Sequence, residues 1–229
     1  MKKTKIIFWD WDNTLADTFE VILRAQNDMR AHYGLPQWSS EDIKRALNKP
    51  GHNLIKDQIG AEKEKEARAY YMCCYLKNNK HLKLKESAIE VLEYAHSLGF
   101  INILTSNKTE NILLDEVKNL GVLSCFDKIV GSKKTPEDKP SKVFADKVLA
   151  EFPTKELIVS IGDSLSDIKM AHHYPNGIAI LVFTNPNRRE FENEKPNYHA
   201  IDLASCKSIL KKLNQRPNTL AHYKKQQRE

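Results

Sequence analysis

Four short segments of the chain carry residues suited to chemistry on an anion. They are Asp10-Trp11-Asp12-Asn13-Thr14, Thr105-Ser106-Asn107-Lys108, Asp138-Lys139-Pro140 and Gly162-Asp163-Ser164-Leu165-Ser166-Asp167. If these segments converge, the carboxylates of Asp10, Asp12, Asp163 and Asp167, several hydroxyl groups and the Lys139 ammonium share one edge of the molecule. Carboxylates crowded at low dielectric repel one another, and the usual remedies are protonation or a divalent cation with oxygen ligands. Mg²⁺ suits that demand, since it keeps several waters and is held by one or two carboxylates together with a substrate phosphate. Acids, cation and phosphoryl group then form a single electrostatic unit.

Convergence depends on the elements that precede each segment. Ile6-Ile7-Phe8-Trp9 is short, β-branched and aromatic and ends at acids, as a strand buried on both faces of a parallel sheet does. A helical pattern through Ala88, Val91, Leu92 and Ala95 stops at Gly99 and leads into a second strand, Ile101 to Leu104. The rhythm repeats with Ile112, Leu113, Val117 and Leu120 before Lys128-Ile129-Val130, and with Val143 to Leu149 before Leu157 to Ile161. Ile178 to Val182 is a fifth strand candidate. This alternation predicts an α/β fold with an open, doubly wound, Rossmann-like parallel sheet. In such sheets ligands bind outside the carboxyl ends of the strands, where the four segments lie.

Between Asp17 and Lys83 the rhythm breaks. Residues 17–33 read as a helix ending before Gly34-Leu35-Pro36, Ser39-Ser40-Glu41-Asp42 as a helix start, and Ala61 to Lys77 as a long charged helix bearing Tyr70, Tyr71 and Tyr75. The prediction is a four-helix lobe inserted in the core. The domain boundaries are then 1–16 with 84–213 for the core, 17–83 for the insertion and 214–229 for a basic tail.

Composition limits the alternatives. With 41% hydrophobic and 29% charged residues the chain of 229 can bury a core, unlike a disordered polyelectrolyte. No apolar run approaches the ~20 residues of a membrane span, and the four apolar residues after Lys5 read as neither signal peptide nor anchor. Cys73, Cys74, Cys125 and Cys206 show no CxxC spacing, which predicts reduced thiols and a cytoplasmic location. The net charge of +6 is concentrated late, in Lys207, Lys211, Lys212, Arg216, Lys224, Lys225 and Arg228. A solvated tail is the plain reading and an anionic partner such as nucleic acid the alternative.

The four segments resemble the motifs of the haloacid dehalogenase superfamily, in particular its phosphatase branch. Asp10-Trp11-Asp12-Asn13-Thr14 matches the Asp-x-Asp-x-Thr loop, with Asn13 where many members carry Gly; Asn tolerates positive φ better than most residues. Ser106 matches the Ser or Thr closing the second strand, Lys139-Pro140 the third motif, and Gly162 to Asp167 the Gly-Asp-Ser-x-x-Asp motif. The resemblance, which is to the phosphoglycolate phosphatase-like subgroup, spans residues 4 to about 213 and makes the insertion a helical cap.

The resemblance implies a role for each residue. Asp10 would be the nucleophile forming an aspartyl-phosphate, and Asp12 the acid that protonates the leaving oxygen and then activates water. Mg²⁺ would be held by the Asp10 and Asp163 side chains and the backbone carbonyl of Asp12. Lys139 would offset negative charge, Ser106 and the Asn107 amide would bind phosphoryl oxygens, and Asp167 would orient Lys139 or a metal-bound water. In the cap, Lys49, His52 and Asn53 are the substrate-contact candidates. The substrate implied is a small phosphorylated metabolite: phosphoglycolate, a sugar phosphate or a nucleotide. Dehalogenation is disfavoured because that chemistry has no use for Asp12; a phosphomutase keeps it and is the runner-up.

Structural roles compete at single positions. Asp12, Asp163 or Ser164 could cap helices, which accounts for one site but not for four. Thr14 is expected to bond backbone within its loop, Thr105 to finish a strand and Lys108 to be a solvated helix-start residue. His172 and His173 diverge by roughly a hundred degrees on a helix and read as packing residues, as do the tyrosines of the insertion.

Overall fold

The computed structural model describes residues 4–47, 54–132, 136–152 and 154–215. The chain divides into two compact units, Met1–Ala16 with Leu84–Glu229, and Asp17–Lys83.

The first unit is built on six parallel strands: β1 (Thr4–Trp9), β2 (Phe100–Thr109), β3 (Lys128–Ser132), β4 (Lys155–Gly162), β5 (Gly177–Val182) and β6 (Tyr198–Ala200). Their spatial order is β3-β2-β1-β4-β5-β6, with β1 paired to both β2 and β4. Strand order therefore reverses between β1 and β4, the kind of position where open α/β sheets form a ligand crevice. Ile6, Ile7, Phe8 and Trp9 are all fully buried, which explains why β1 reads as a continuous apolar run.

Alternate residues of β1 meet different helices. Ile6 and Phe8 join Ile103, Val130 and Ile158 in a core closed by Phe144, Ala145, Val148 and Leu149 of a helix over Lys142–Leu149 and by Met170 of a helix over Leu165–His172. Full burial of a side chain such as Phe8 or Phe144 contributes about 1.5–3 kcal/mol. In the opposite register, Lys5 Nζ donates to Leu98 O at 2.7 Å and also contacts Asn214 Oδ1, at the ends of helices over Ala88–Ser97 and Leu203–Asn214. Helices thus cover both faces, and the doubly wound sheet predicted above is present.

One strand boundary and one whole strand differ from the sequence reading. β2 does not stop at Leu104; after an irregularity Thr109 pairs with Ser132, so the strand carries the site residues Ser106 to Lys108 within it. β6, only three residues long, has no apolar run to announce it.

Among the described residues, Asp17–Lys83 contains helices over Phe19–His32, Ser40–Leu47, Leu54–Ile59 and Glu64–Asn78 and a 3₁₀ turn at Asn79–His81. Met29, Ile55 and Ala67 form its centre, with Tyr33, Ile59, Tyr70 and Tyr71 packed against them. Tyr70 stacks on His32 with ring centroids 4.0 Å apart, a packing role for that tyrosine.

Candidate active site

β1 and β4 lie side by side and deliver Asp10 and Asp163 from their C-terminal ends. Asp10 is buried, and each of its oxygens has a donor: Lys139 Nζ to Oδ1 at 2.7 Å and Thr14 Oγ1 to Oδ2 at 2.8 Å. Thr14 therefore corrects its expectation. Its hydroxyl serves the Asp10 side chain, while its backbone amide makes the loop bond to Trp11 O at 3.2 Å. The loop turns at Asn13, which adopts φ 59°, a conformation that Asn accepts in place of Gly.

Lys139 lies between Asp10 and Asp167, reaching Asp167 Oδ1 at 2.6 Å. Three neighbours fix its segment. Asn107 Nδ2 donates to Lys139 O at 2.8 Å, His173 Nε2 to Pro140 O at 2.7 Å, and Ser141 caps the following helix by accepting the Val143 amide at 3.0 Å. Asn107 was expected to act only through its backbone amide and His173 only in packing; both side chains hold the lysine loop. Asp167 Oδ2 accepts both the Ser164 amide at 3.1 Å and its hydroxyl at 2.6 Å. A Cβ added at Gly162 would fall 2.1 Å from Asp167 Cγ, so that motif position admits only glycine.

Asp10, Asp163 and Asp167 each offer a carboxylate oxygen within 4.8 Å of the others. Burial, then repulsion from Asp167 and Asp12, pushes Asp10 up to about 7 against the opposing pull of Lys139. Burial and the neighbouring Asp10 and Asp167 hold Asp163 well above the carboxylate range. Burial works against the Lys139 ammonium, but Asp10 and Asp167 overcome it and raise its pKa. The cluster is short of positive charge and its donors are all hard oxygens, which fits a divalent cation such as Mg²⁺. Asp10 and Asp167 both already have donors at their oxygens, yet both oxygens of Asp10 and Oδ1 of Asp167 keep a second lone pair, so all three acids have capacity left for a cation.

Asp12 stands in a second group. Its Oδ1 meets Lys108 Nζ at 2.7 Å and its Oδ2 accepts the buried Ser106 hydroxyl at 3.3 Å. Lys108 corrects its expectation most plainly. It belongs to β2, its side chain is 10% exposed, and it bridges Asp12 to Glu116, at 2.6 Å, rather than facing solvent. Thr105 does not finish the strand as expected but is buried within β2, with its hydroxyl 3.4 Å from Trp9 O. Lys49, His52 and Asn53 lie outside the described residues, as does the tail from Arg216 onward.

Residues 6–181 match the model of the family described as haloacid dehalogenase-like hydrolase, and the chain belongs to that family. It is a phosphatase of the superfamily. A phosphoglycolate phosphatase of Chromobacterium violaceum is 28% identical over 183 residues, covering 75% of this chain and 82% of that one. Among solved structures, a protein of Haemophilus somnus assigned as a phosphoglycolate phosphatase superposes with a TM-score of 0.77 at 21% identity, covering 91% of this chain and 99% of that one. A Thermotoga maritima protein assigned as a β-phosphoglucomutase reaches 0.73 at 17%, covering 92% and 100%. At those identities the structural matches establish the fold. Among the described residues, no helix is long and apolar enough to cross a membrane.

Proposed function

We propose that this phosphatase is a Mg²⁺-dependent phosphomonoester hydrolase that works through an aspartyl-phosphate at Asp10 on a small phosphorylated metabolite: phosphoglycolate, a sugar phosphate or a nucleotide. The observation that carries the reading is the treatment of Asp10, a buried carboxylate oriented at both oxygens by Lys139 and Thr14 and set beside Asp163. An Asp10 oxygen attacks phosphorus, and the bond from phosphorus to the ester oxygen breaks as Asp12 protonates that oxygen. Asp12 then takes a proton from water, which attacks the phosphorus, releases phosphate and regenerates Asp10. Lys139 offsets charge on Asp10 and on the transferring group, and Ser106 with the Asn107 amide binds phosphoryl oxygens. When bound by the Asp10 and Asp163 side chains and the Asp12 carbonyl, Mg²⁺ supplies the charge that lets an anionic nucleophile approach a phosphate. The helical unit Asp17–Lys83 is assigned to recognition of the leaving part of the substrate, with Lys49, His52 and Asn53 as its candidates.

Likeness in name to phosphoglycolate phosphatases favours a small acidic phosphate ester. The fold shared with an assigned phosphomutase keeps intramolecular or bimolecular phosphate return as the second reading. Release of nitrophenol from p-nitrophenyl phosphate with Mg²⁺ and with EDTA, followed by a panel of metabolite phosphates, tests the proposal. Metal-dependent phosphate release supports it. Conversion of a sugar phosphate to its isomer without phosphate release would favour the mutase, and turnover undiminished in EDTA would remove the metal from the account.

A further inference from the structure

The proposed chemistry asks Asp12 to pass a proton to the leaving oxygen, which requires its carboxylate to be held in place. Two of the groups around it, Lys108 and Glu116, were given no catalytic part by the sequence reading. Lys108 Nζ lies 2.7 Å from Asp12 Oδ1 and 2.6 Å from Glu116 Oε2. The same Glu116 oxygen accepts the indole N–H of Trp11 at 2.7 Å, and Trp11 is the residue between the two acids of the loop. The contacts close a ring from Asp12 through Lys108, Glu116 and Trp11 back to Asp12 along the backbone. A second tie runs through Ser106, whose Oγ accepts the Lys108 amide at 3.1 Å and donates to Asp12 Oδ2 at 3.3 Å.

The energetics of the ring point beyond ordinary packing. Glu116 is on a helix over Glu110–Asn119, fully buried, and Trp11 is fully buried as well. A glutamate is rarely taken completely out of water unless paired, because desolvation of the ion is costly. Lysine on its own orients a partner poorly, being a point charge on a flexible stem. Here the stem is buried and the ammonium is fixed from behind by a carboxylate that is itself fixed by a rigid indole, so its direction toward Asp12 is set. Catalytic groups must be held to within about 0.5 Å of their working geometry, and such supporting contacts provide that.

We propose that Lys108, anchored by Glu116 and Trp11, is a positioning residue that holds the Asp12 carboxylate where it meets the leaving oxygen. Lys108 neither gives nor takes the proton. The proton moves from Asp12 to the ester oxygen, which keeps the electron pair of the breaking bond to phosphorus. The inference rests on the aspartyl-phosphate reading above and adds the residues that make its acid effective.

The test compares phenyl phosphate with p-nitrophenyl phosphate, esters of similar shape whose leaving phenolates differ in their need for a proton. The variants are Lys108→Met and the charge-balanced Lys108→Met/Glu116→Gln, the latter avoiding an unpaired buried carboxylate. For both variants kcat/KM is expected to fall at least about tenfold more on phenyl phosphate than on p-nitrophenyl phosphate, a part of the hundredfold or greater contribution typical of a positioned acid. An equal fall on both esters, a change confined to KM, or wild-type ratios would overturn the positioning role while the wild type still turns over. Failure of the wild type to hydrolyse either ester would overturn the phosphatase reading and this inference with it.

Discussion

Lys139 Nζ lies 2.7 Å from Asp10 Oδ1, in a site where the lysine side chain is 2% exposed. The pair is the electrostatic centre of the cluster, since the same ammonium also neutralises Asp167. Lys139→Met is expected to lower kcat by about 10²–10³, the range seen when a preorganised charge-stabilising group is lost. It should also cost stability, because breaking a buried pair from one side leaves uncompensated charge worth roughly 3–5 kcal/mol. Thermal melting and steady-state kinetics of the one variant check both; a native melting temperature with native kcat would contradict the assignment.

Thr14 gives a narrower prediction. Its hydroxyl donates to the second Asp10 oxygen, and Thr14→Val preserves the shape while removing that donor. A buried acceptor left without its partner costs about 1–3 kcal/mol. Expressed in catalysis, this predicts a fall in kcat of about tenfold or more with KM little changed. Undiminished kcat would show that the bond orients nothing the reaction uses.

The pKa of Asp10 makes a signed prediction about metal and pH. In the metal-free cluster Asp10 titrates at about 7 against an ordinary 3.8, with burial as the main cause. Between those values the folded protein holds a proton that the unfolded chain has released, so the Asp10 contribution to stability falls as pH rises from about 4 to about 7. Asp42, held low by the Ser39 amide and hydroxyl, and Asp202, held low by Ser205, lose their contributions only below about pH 4, whereas Asp163, raised by burial and by Asp10, acts in the same sense as Asp10. The Asp10 contribution is therefore read as the difference between wild type and Asp10→Asn in EDTA. Relative to the variant, wild type should lose several degrees of melting temperature across that window, at roughly 2–4 °C per kcal/mol for a chain of this size. Mg²⁺ should restore much of it at neutral pH by binding the ionised acids. A difference that grows with pH in EDTA, or no Mg²⁺ effect at neutral pH, would contradict this.

Within the core, Asn102 carries a prediction about stability alone. It is a fully buried polar residue in β2 that accepts the Trp9 indole N–H at 2.9 Å and donates to Leu92 O at 3.0 Å and Cys125 O at 3.2 Å. Asn102→Ala should cost about 2–4 kcal/mol by leaving buried groups unpaired. Denaturant unfolding measures it; a loss below about 0.5 kcal/mol would mean that these bonds are replaced.

The strands and the site's main groups were legible because each signal was local. β1 announces itself as an apolar run ended by acids; Asp10 and Asp163 directly follow their strands, Ser106 lies in the C-terminal half of β2 and Lys139 stands just before the helix over Lys142–Leu149, so the parallel topology sends all four to one edge. Contacts between distant segments were not legible. Lys108 reads as one more charged residue of a hydrophilic stretch, since nothing local reveals that Glu116 and Asp12 enclose it. His173 was similarly opaque: its partner, Pro140 O, is a backbone atom that no sequence pattern marks. β6 was missed because three residues with exposed His199 at the centre carry too little periodicity.

The central claim is that phosphate passes through the Asp10 side chain. Rapid acid quench during turnover, followed by borohydride reduction and peptide mass spectrometry, tests it most directly, because reduction converts an aspartyl-phosphate to homoserine. The account predicts homoserine at position 10, dependent on substrate and absent from Asp10→Asn, which should itself release no phosphate. Turnover by Asp10→Asn at the wild-type rate, or homoserine at another aspartate instead, would contradict it.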